Sequence, residues 1–364
     1  MTNPSFSSTP TDQYSRFLAA CRREPVDAIP VWYMRQAGRY QPEYRKIREK
    51  YSLLEICRTP ELCVQISQLP VTQLGVDAAI LFSDIMVPLS AMGVELDIQE
   101  NVGPLIAHPL RSDADVQTLH AFETVESLPY VLDSIRQLKH SLSVPLIGFA
   151  GGPYTLASYL IEGQASRSYL HTKQMMWNRP DLWQTLMDKL GAAISHFLRA
   201  QIQAGAAAVQ IFDSWVGSLS PEDFQTYVLP TMKRVFHLLQ DTGVPIIYFG
   251  VNTGDLLPAF AESGASVIGV DWRTPLQEAR RRIGPNQAIQ GNLDPAMLLA
   301  PWSVLSSRAE DIVTQGVQQP GFIFNLGHGV VHHHPPVSVD VLRRLTQHIH
   351  EYSHQCLVER GNLV

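Results

Sequence analysis

The chain has 364 residues, 45% of them hydrophobic and 17% charged, enough apolar material for a large core and incompatible with a disordered, collagenous or coiled-coil protein. Its formal charge is −6 and its pI about 6.1, so as a whole it carries no electrostatic footprint for nucleic acid or an anionic membrane surface. Four scattered cysteines, Cys21, Cys57, Cys63 and Cys356, show neither CxxC spacing nor a disulfide framework, which points to a reducing, cytoplasmic setting.

Residues 1–13 are polar and lack the basic start and apolar stretch of a signal peptide, so a frayed tail is expected there. No apolar run reaches the ~18 residues of a membrane span. Short β-rich apolar runs bounded by turn residues follow at 29–33, 78–82, 145–150, 207–212, 245–249, 266–270, 287–291 and 321–325. Helical patterns lie between them. Several announce their start with a cap residue, a proline and an acid in the first turn: Thr59-Pro60-Glu61, Ser220-Pro221-Glu222, and Thr274-Pro275 with Glu278. Around 92–110, the alternating stretch VELDIQ and a Gly103-Pro104 break predict a hairpin inserted after the second run.

Eight such units predict an α/β fold, a single (β/α)8 TIM-type barrel over residues 14–354 with its active site at the C-terminal ends of the strands. A frayed C-terminal tail is expected over 355–364. An open doubly wound sheet is the competitor, but it usually carries a phosphate loop after its first strand, and neither GxGxxG nor GxxxxGK[ST] occurs here.

In such a barrel the chemistry sits on the loops leaving the strands, so the residues just after each run carry the functional reading. They are polar: Arg35-Gln36-Ala37-Gly38-Arg39, Ser83-Asp84, Gly151 to Tyr154, Asp213-Ser214-Trp215, Asn252-Thr253-Gly254, Asp271, Asn292 with Asp294, and Gly327-His328-Gly329. Asn252, Thr253, Asn292, Asp271 and Asp294 also read as turn and cap formers. The first loop differs in kind. Residues 35–50 hold six cationic side chains against two acids, in a chain that is acidic overall. Arg35 and Arg39 precede the helix opened by Pro42-Glu43 and flank small residues, as capture of carboxylate or phosphate by planar guanidinium groups requires. The cations on that helix read equally as a solvated face.

Asp84 ends a run that is apolar on both faces, so its carboxylate projects into the barrel mouth among apolar neighbours. An isolated carboxylate there is costly, which leaves an ion pair with Arg35 or Arg39, or donors on a ligand. Four histidines, His328 and 332–334, raise a metal site, but three in a row converge poorly on one ion and Pro335-Pro336 marks an exposed loop, so no metal is expected.

Two long stretches, PVWYMRQAGRYQPEYRKIR (30–48) and GFAGGPYTLASYLIEG (148–163), resemble the signatures of the uroporphyrinogen decarboxylase family, and QIFDSW (210–215) and FNLGHGV (324–330) resemble further family segments. The resemblance implies a homodimeric barrel without metal or organic cofactor. It implies removal of four acetate carboxyl groups of uroporphyrinogen III as CO2, giving coproporphyrinogen III in tetrapyrrole biosynthesis. By motif position it implies substrate contacts from Arg35, Gln36, Ala37, Gly38, Arg39, Tyr154, Ser214 and His328, with Ser214 standing where the family often has threonine. Asp84 matches the family's carboxylate facing the pyrrole NH groups. Asp84 and Arg35 are the expected catalytic residues. For the proton donor, Arg35, His328 and Tyr154 all stand as candidates, although arginine releases its proton reluctantly.

Three other functions compete. A corrinoid-dependent methyltransferase of similar barrel would need a zinc-binding HxC motif after a central strand, whereas the only HxC here is His354-Gln355-Cys356 near the C-terminus. A glycoside hydrolase would need two facing acids such as Asp84 and Asp213, and would leave the arginines without a purpose. A non-catalytic porphyrin-binding protein is the third.

Overall fold

In the computed structural model, which describes residues 13–99, 103–122 and 127–361, seven of the eight apolar runs become short, largely buried strands. β1 (Ala79–Ile80) is followed by a hairpin, β2 (Leu96–Gln99) and β3 (Gly103–Ile106), and then by β4 (Leu146–Gly151), β5 (Ala208–Phe212), β6 (Ile246–Phe249), β7 (Val267–Gly269), β8 (Ala288–Leu293) and β9 (Phe322–Leu326). β1 and β4 to β9 pair in parallel, in chain order, as one curled sheet of seven strands. β2 and β3 pair antiparallel as the inserted hairpin that the alternation predicts. The expected N-terminal tail, up to residue 12, lies outside the described residues.

The sheet departs from expectation at the run 29–33, which makes only an isolated parallel bridge, Val31 to Phe324, where an eighth strand is predicted. The reason lies in how its backbone donors are spent. Pro30 has no N–H to give to a ladder. The neighbouring donors are taken by side chains: Ile29 N–H by Ser353 Oγ at 2.9 Å, Val31 N–H by Asp77 Oδ2 at 2.7 Å, and Met34 N–H by Asn325 Oδ1 at 2.9 Å. Backbone bonds remain on both sides, from Phe324 N–H to Pro30 O at 2.9 Å and from Asp77 N–H to Val31 O at 2.8 Å. The segment is therefore fastened in place without being a ladder strand. Inside the curl it also starts a polar chain: Trp32 Nε1 donates to Gln290 Oε1 at 2.9 Å, and Gln290 Nε2 donates to Gln210 Oε1 at 3.2 Å.

Helices cover the outer face. The predicted starts at Pro60 and Pro221 open the helices Pro60–Leu74 and Pro221–Tyr227, the second capped by Ser220 Oγ accepting from Asp223 N–H at 3.1 Å. The Thr274-Pro275 start is displaced slightly, since helix Leu276–Ile283 leaves Pro275 outside. The longest helix, Pro180–Ala204, also completes the sheet: Gln201 bonds both Phe149 N–H and Phe149 O at 2.9 Å, beyond the end of the short β1. The last helix, Val339–Glu359, continues past residue 355, where the tail was expected, because Leu357 is buried against the body. It carries the HxC stretch, and His354 Nδ1 donates to Asp27 O at 2.9 Å. No helix among the described residues is long and apolar enough to cross a membrane.

Candidate active site

A cavity of about 390 Å³ opens at the C-terminal ends of the strands. Its floor and walls are Met34, Phe149, Phe212 and Phe249; Phe82 to Ile85 and Pro104 of the hairpin close one side, Tyr159 and Trp215 another. Arg35, Ala37, Asp84, Ser214, His328 and Gly329 supply its polar and small surface. The wall is built of aromatic pairs: Phe149 meets Phe212 edge-on at 5.5 Å, and the Tyr159 and Trp215 rings lie 3.9 Å apart. Apolar walls with few convergent polar groups are the usual character of a ligand site.

Arg35 reaches this cavity from a bent loop. Its φ of +57° is left-handed, which costs a non-glycine residue roughly 1 kcal/mol and has to be held by its surroundings. Gln36 does the holding. Fully buried, its Oε1 accepts Tyr33 N–H at 3.1 Å and its Nε2 donates to Ala78 O at 3.0 Å, while the Tyr40 hydroxyl donates to its carbonyl. The stem of Arg35 then packs on Gly329.

Asp84 stands at the exit of β1. Its Oδ1 accepts Met86 N–H at 2.9 Å and its carbonyl accepts Val87 N–H at 3.1 Å, a turn that fixes the carboxyl where the sheet opens. Burial pushes this carboxyl above its ordinary range, opposed by the Met86 N–H and by the charge of Arg35. Arg35 makes no ion pair with it, so Arg35 acts through its field and leaves the carboxylate open to the cavity. His328 faces the same space, edge-on to Trp272. Burial, with Arg35 and Arg273 nearby, pushes its imidazole down to about 4 against the pull of Asp271, so it is neutral at pH 7.

Behind the wall, Asp213 is fully buried. Its Oδ1 accepts Thr155 N–H at 2.9 Å and the Thr155 hydroxyl at 2.7 Å, and its Oδ2 accepts the Tyr248 hydroxyl at 3.0 Å. Thr155 Oγ1 in turn accepts Trp215 N–H at 3.2 Å, so this carboxyl positions the loop carrying Ser214 and Trp215. Burial pushes Asp213 up to about 6. It is turned away from the cavity, which deprives the glycoside hydrolase reading of its second acid.

Of the expected site residues, Arg35, Ala37, Asp84, Ser214 and His328 meet on one cavity. Gln36 turns inward as described. Gly38 donates its N–H to Gln41 Oε1 at 3.0 Å, and Arg39 stands partly buried outside the lining. Tyr154 is wholly buried with its hydroxyl 3.0 Å from Ser218 Oγ, in the layer behind the wall. The tyrosine at the cavity is Tyr159, on the same helix, Pro153–Glu162. Burial first, and then the charge of Asp84, push its phenol far up, so it keeps its proton at any working pH. Tyr159 and the aromatic wall of Phe149, Phe212 and Phe249 do not stand out in the sequence, whereas Trp215 and Gly329 appear there only as neighbours of Ser214 and His328, and Pro104 only as a break in the hairpin.

Residues 12–352 match the model of the uroporphyrinogen decarboxylase (URO-D) family. Among curated proteins, the chain is 53% identical over 338 residues to the uroporphyrinogen decarboxylase of Geobacillus thermodenitrificans, covering 93% of this chain and 97% of the relative. It is 53% identical over 337 residues to that of Halalkalibacterium halodurans, with the same coverage. Among solved structures it is similar to a methyltransferase from Methanosarcina mazei, with TM-score 0.78, 21% identity, and 94% and 99% of the two chains covered. A B12-independent methionine synthase from Shewanella follows at TM-score 0.58 and 8% identity, covering 93% and 97%. At such identities the two structures share a fold with this chain and nothing more.

Proposed function

The chain belongs to the uroporphyrinogen decarboxylase family, and we propose that its cavity removes the four acetate carboxyl groups of uroporphyrinogen III as CO2, yielding coproporphyrinogen III. The observation that carries this reading is that one open acceptor, Asp84, and one guanidinium, Arg35, line the same aromatic-walled cavity. The substrate presents the complement: four NH donors at its centre and eight carboxylates around its rim.

The mechanism follows from the electrons. Breaking the bond between a methylene and its carboxylate leaves an electron pair that needs a sink. Protonation at the pyrrole α-carbon makes the ring a cationic iminium, which accepts that pair as CO2 leaves. A proton is then added at the exocyclic carbon to make the methyl group, and the α-carbon proton is released to restore the pyrrole, so each cycle consumes one proton. The ring is its own sink, and the route needs no cofactor. Asp84, ionised opposite the NH, stabilises the iminium in a site that excludes water. Arg35 holds a rim carboxylate, with Arg39 reaching another from outside the lining. Ser214 and His328 offer neutral hydrogen bonds, and Ala37 and Gly38 keep the loop low enough for the ring to approach. Tyr154 supports the wall from behind. Among the candidate proton donors, His328 carries no extra proton at neutral pH and burial holds the proton on the Tyr159 phenol, which leaves Arg35 as the donor that the cavity offers.

The finer architecture belongs to the same proposal. The segment at Val31, bonded to β9 on one side and to the approach to β1 on the other, serves as the eighth stave that closes a (β/α)8 barrel. The chain acts as a homodimer in the cytoplasm, a reading that rests on family membership. Anaerobic incubation with uroporphyrinogen, followed by chromatography of the oxidised products, tests the activity. Hepta- to tetracarboxylate products are expected, and their absence with wild-type protein overturns the proposal.

A further inference from the structure

Asp84 owes its place to a helix that stands outside the cavity. The ladder between β1 and β4 ends where Leu81 N–H donates to Ile147 O at 3.0 Å. The next residue, Phe82, is held at both ends of its backbone by side chains of helix Pro60–Leu74. Its N–H donates to Ser67 Oγ at 2.9 Å, and its carbonyl accepts the Cys63 thiol at 3.1 Å. Cys63 and Ser67 are four residues apart, so they share one face of that helix, and both are buried.

Protons fix the role of each group. The single hydroxyl proton of Ser67 goes to Cys63 O at 2.8 Å, one turn back, which leaves the oxygen to accept from Phe82. Burial pushes the Cys63 thiol up to about 11, so at neutral pH it keeps the proton that it donates. The Phe82 ring is held as well, tilted against Tyr44 at 5.6 Å and packed with Ile47, Ile56 and Ile66. A second fixed point follows at Met86, which is fully buried and gives its N–H to Asp84 Oδ1. Asp84 is the middle residue of the short span 83–85 between these two points. Its carboxylate therefore has little freedom to move toward or away from a ligand.

Building on the decarboxylase reading above, we propose that Ser67 and Cys63 are positioning residues, which hold Asp84 where the NH groups of the substrate meet it. Neither lines the cavity, so neither binds substrate. A charge stabilises a transition state only from the correct place, and a misplacement of about 1 Å can cost about 100-fold in rate. Loss of either hold on Phe82 thus acts on turnover, while the rim contacts that set KM remain.

Steady-state kinetics on uroporphyrinogen, with Tm measured alongside, test this in full-length variants. Ser67→Ala and Cys63→Ala are expected to lower kcat about tenfold or more, with KM within about twofold of wild type. Cys63→Ser, which keeps a donor, is expected to recover most of the turnover lost in Cys63→Ala. In an Asp84→Asn background, Ser67→Ala is expected to cost less than about threefold more, because the charge that it positions has gone. Should Ser67→Ala fail to fold, Cys63→Ala and Cys63→Ser carry the test, alone and in the Asp84→Asn background. Wild-type kcat in the folded alanine variants, a Cys63→Ser variant as slow as Cys63→Ala, or an undiminished loss in the Asp84→Asn background overturns the positioning role alone. A wild-type protein that forms no product overturns the decarboxylase reading itself.

Discussion

The stem of Arg35 lies across Gly329 so closely that a Cβ at 329 would stand 2.5 Å from Arg35 Cγ and 2.9 Å from Arg35 Cβ. The course of the arginine thus depends on a hydrogen atom in the loop leaving the last strand. Gly329→Ala is expected to lift Arg35 from the cavity wall and raise KM about tenfold or more, because displaced binding groups lose their near-attack geometry. Steady-state kinetics decide it, and an unchanged KM would show that Arg35 binds substrate from another position.

Asp84→Asn is expected to fold normally, by Tm, and to lose ~100-fold or more in turnover, the usual cost of removing a preorganised electrostatic group. Near-normal activity would remove Asp84 from the centre of the mechanism. Because burial raises this carboxyl, activity should fall as pH drops through a limb above the ordinary aspartate range. Arg35→Ala, which removes a charge that favours the ionised form, should move that limb to higher pH.

His328→Gln keeps a neutral hydrogen-bonding group at the position. With the imidazole already neutral at pH 7, kcat is expected to stay within about tenfold of wild type. A loss beyond ~100-fold would make His328 the proton donor after all.

Arg39→Ala should raise KM about tenfold while leaving kcat nearly unchanged, the signature of an interaction made equally in ground and transition states. Identical KM values would confine carboxylate capture to Arg35.

Asp213 titrates near 6 in the folded protein, against about 3.9 in an unfolded chain, so the folded state binds its proton more tightly. The stability this contributes is complete below about pH 4 and is lost as pH rises through about 6. Asp213→Asn should flatten that part of the stability curve by up to about 3 kcal/mol, measured by urea unfolding between pH 4 and 7. Parallel curves for the two proteins would rule it out.

Seven of the eight apolar runs coincide with strands because a strand buried on both faces needs an unbroken apolar stretch and little else. The run 29–33 has the same composition, yet its pairing is decided by Asp77, Ser353 and Asn325, partners that no local pattern reveals. At the site, Arg35, Asp84, Ser214 and His328 were legible as polar residues directly following buried runs. The choice between Tyr154 and Tyr159 was not, since helix Pro153–Glu162 is buried around most of its circumference and shows no stripe to tell cavity from core. Gln36 stands as a substrate contact only through its position in the family motif, which does not reveal that both ends of its amide are spent on Tyr33 and Ala78.

That anchor changes the thermodynamics of capture. With both ends of its amide engaged in the protein interior, Gln36 makes the Arg35 loop rigid before any substrate arrives. The entropy lost in ordering the loop is charged to folding, and the affinity for a polyanion is not diminished by it. A net-negative protein can therefore hold a substrate bearing eight carboxylates with very few guanidinium groups, provided that they do not move.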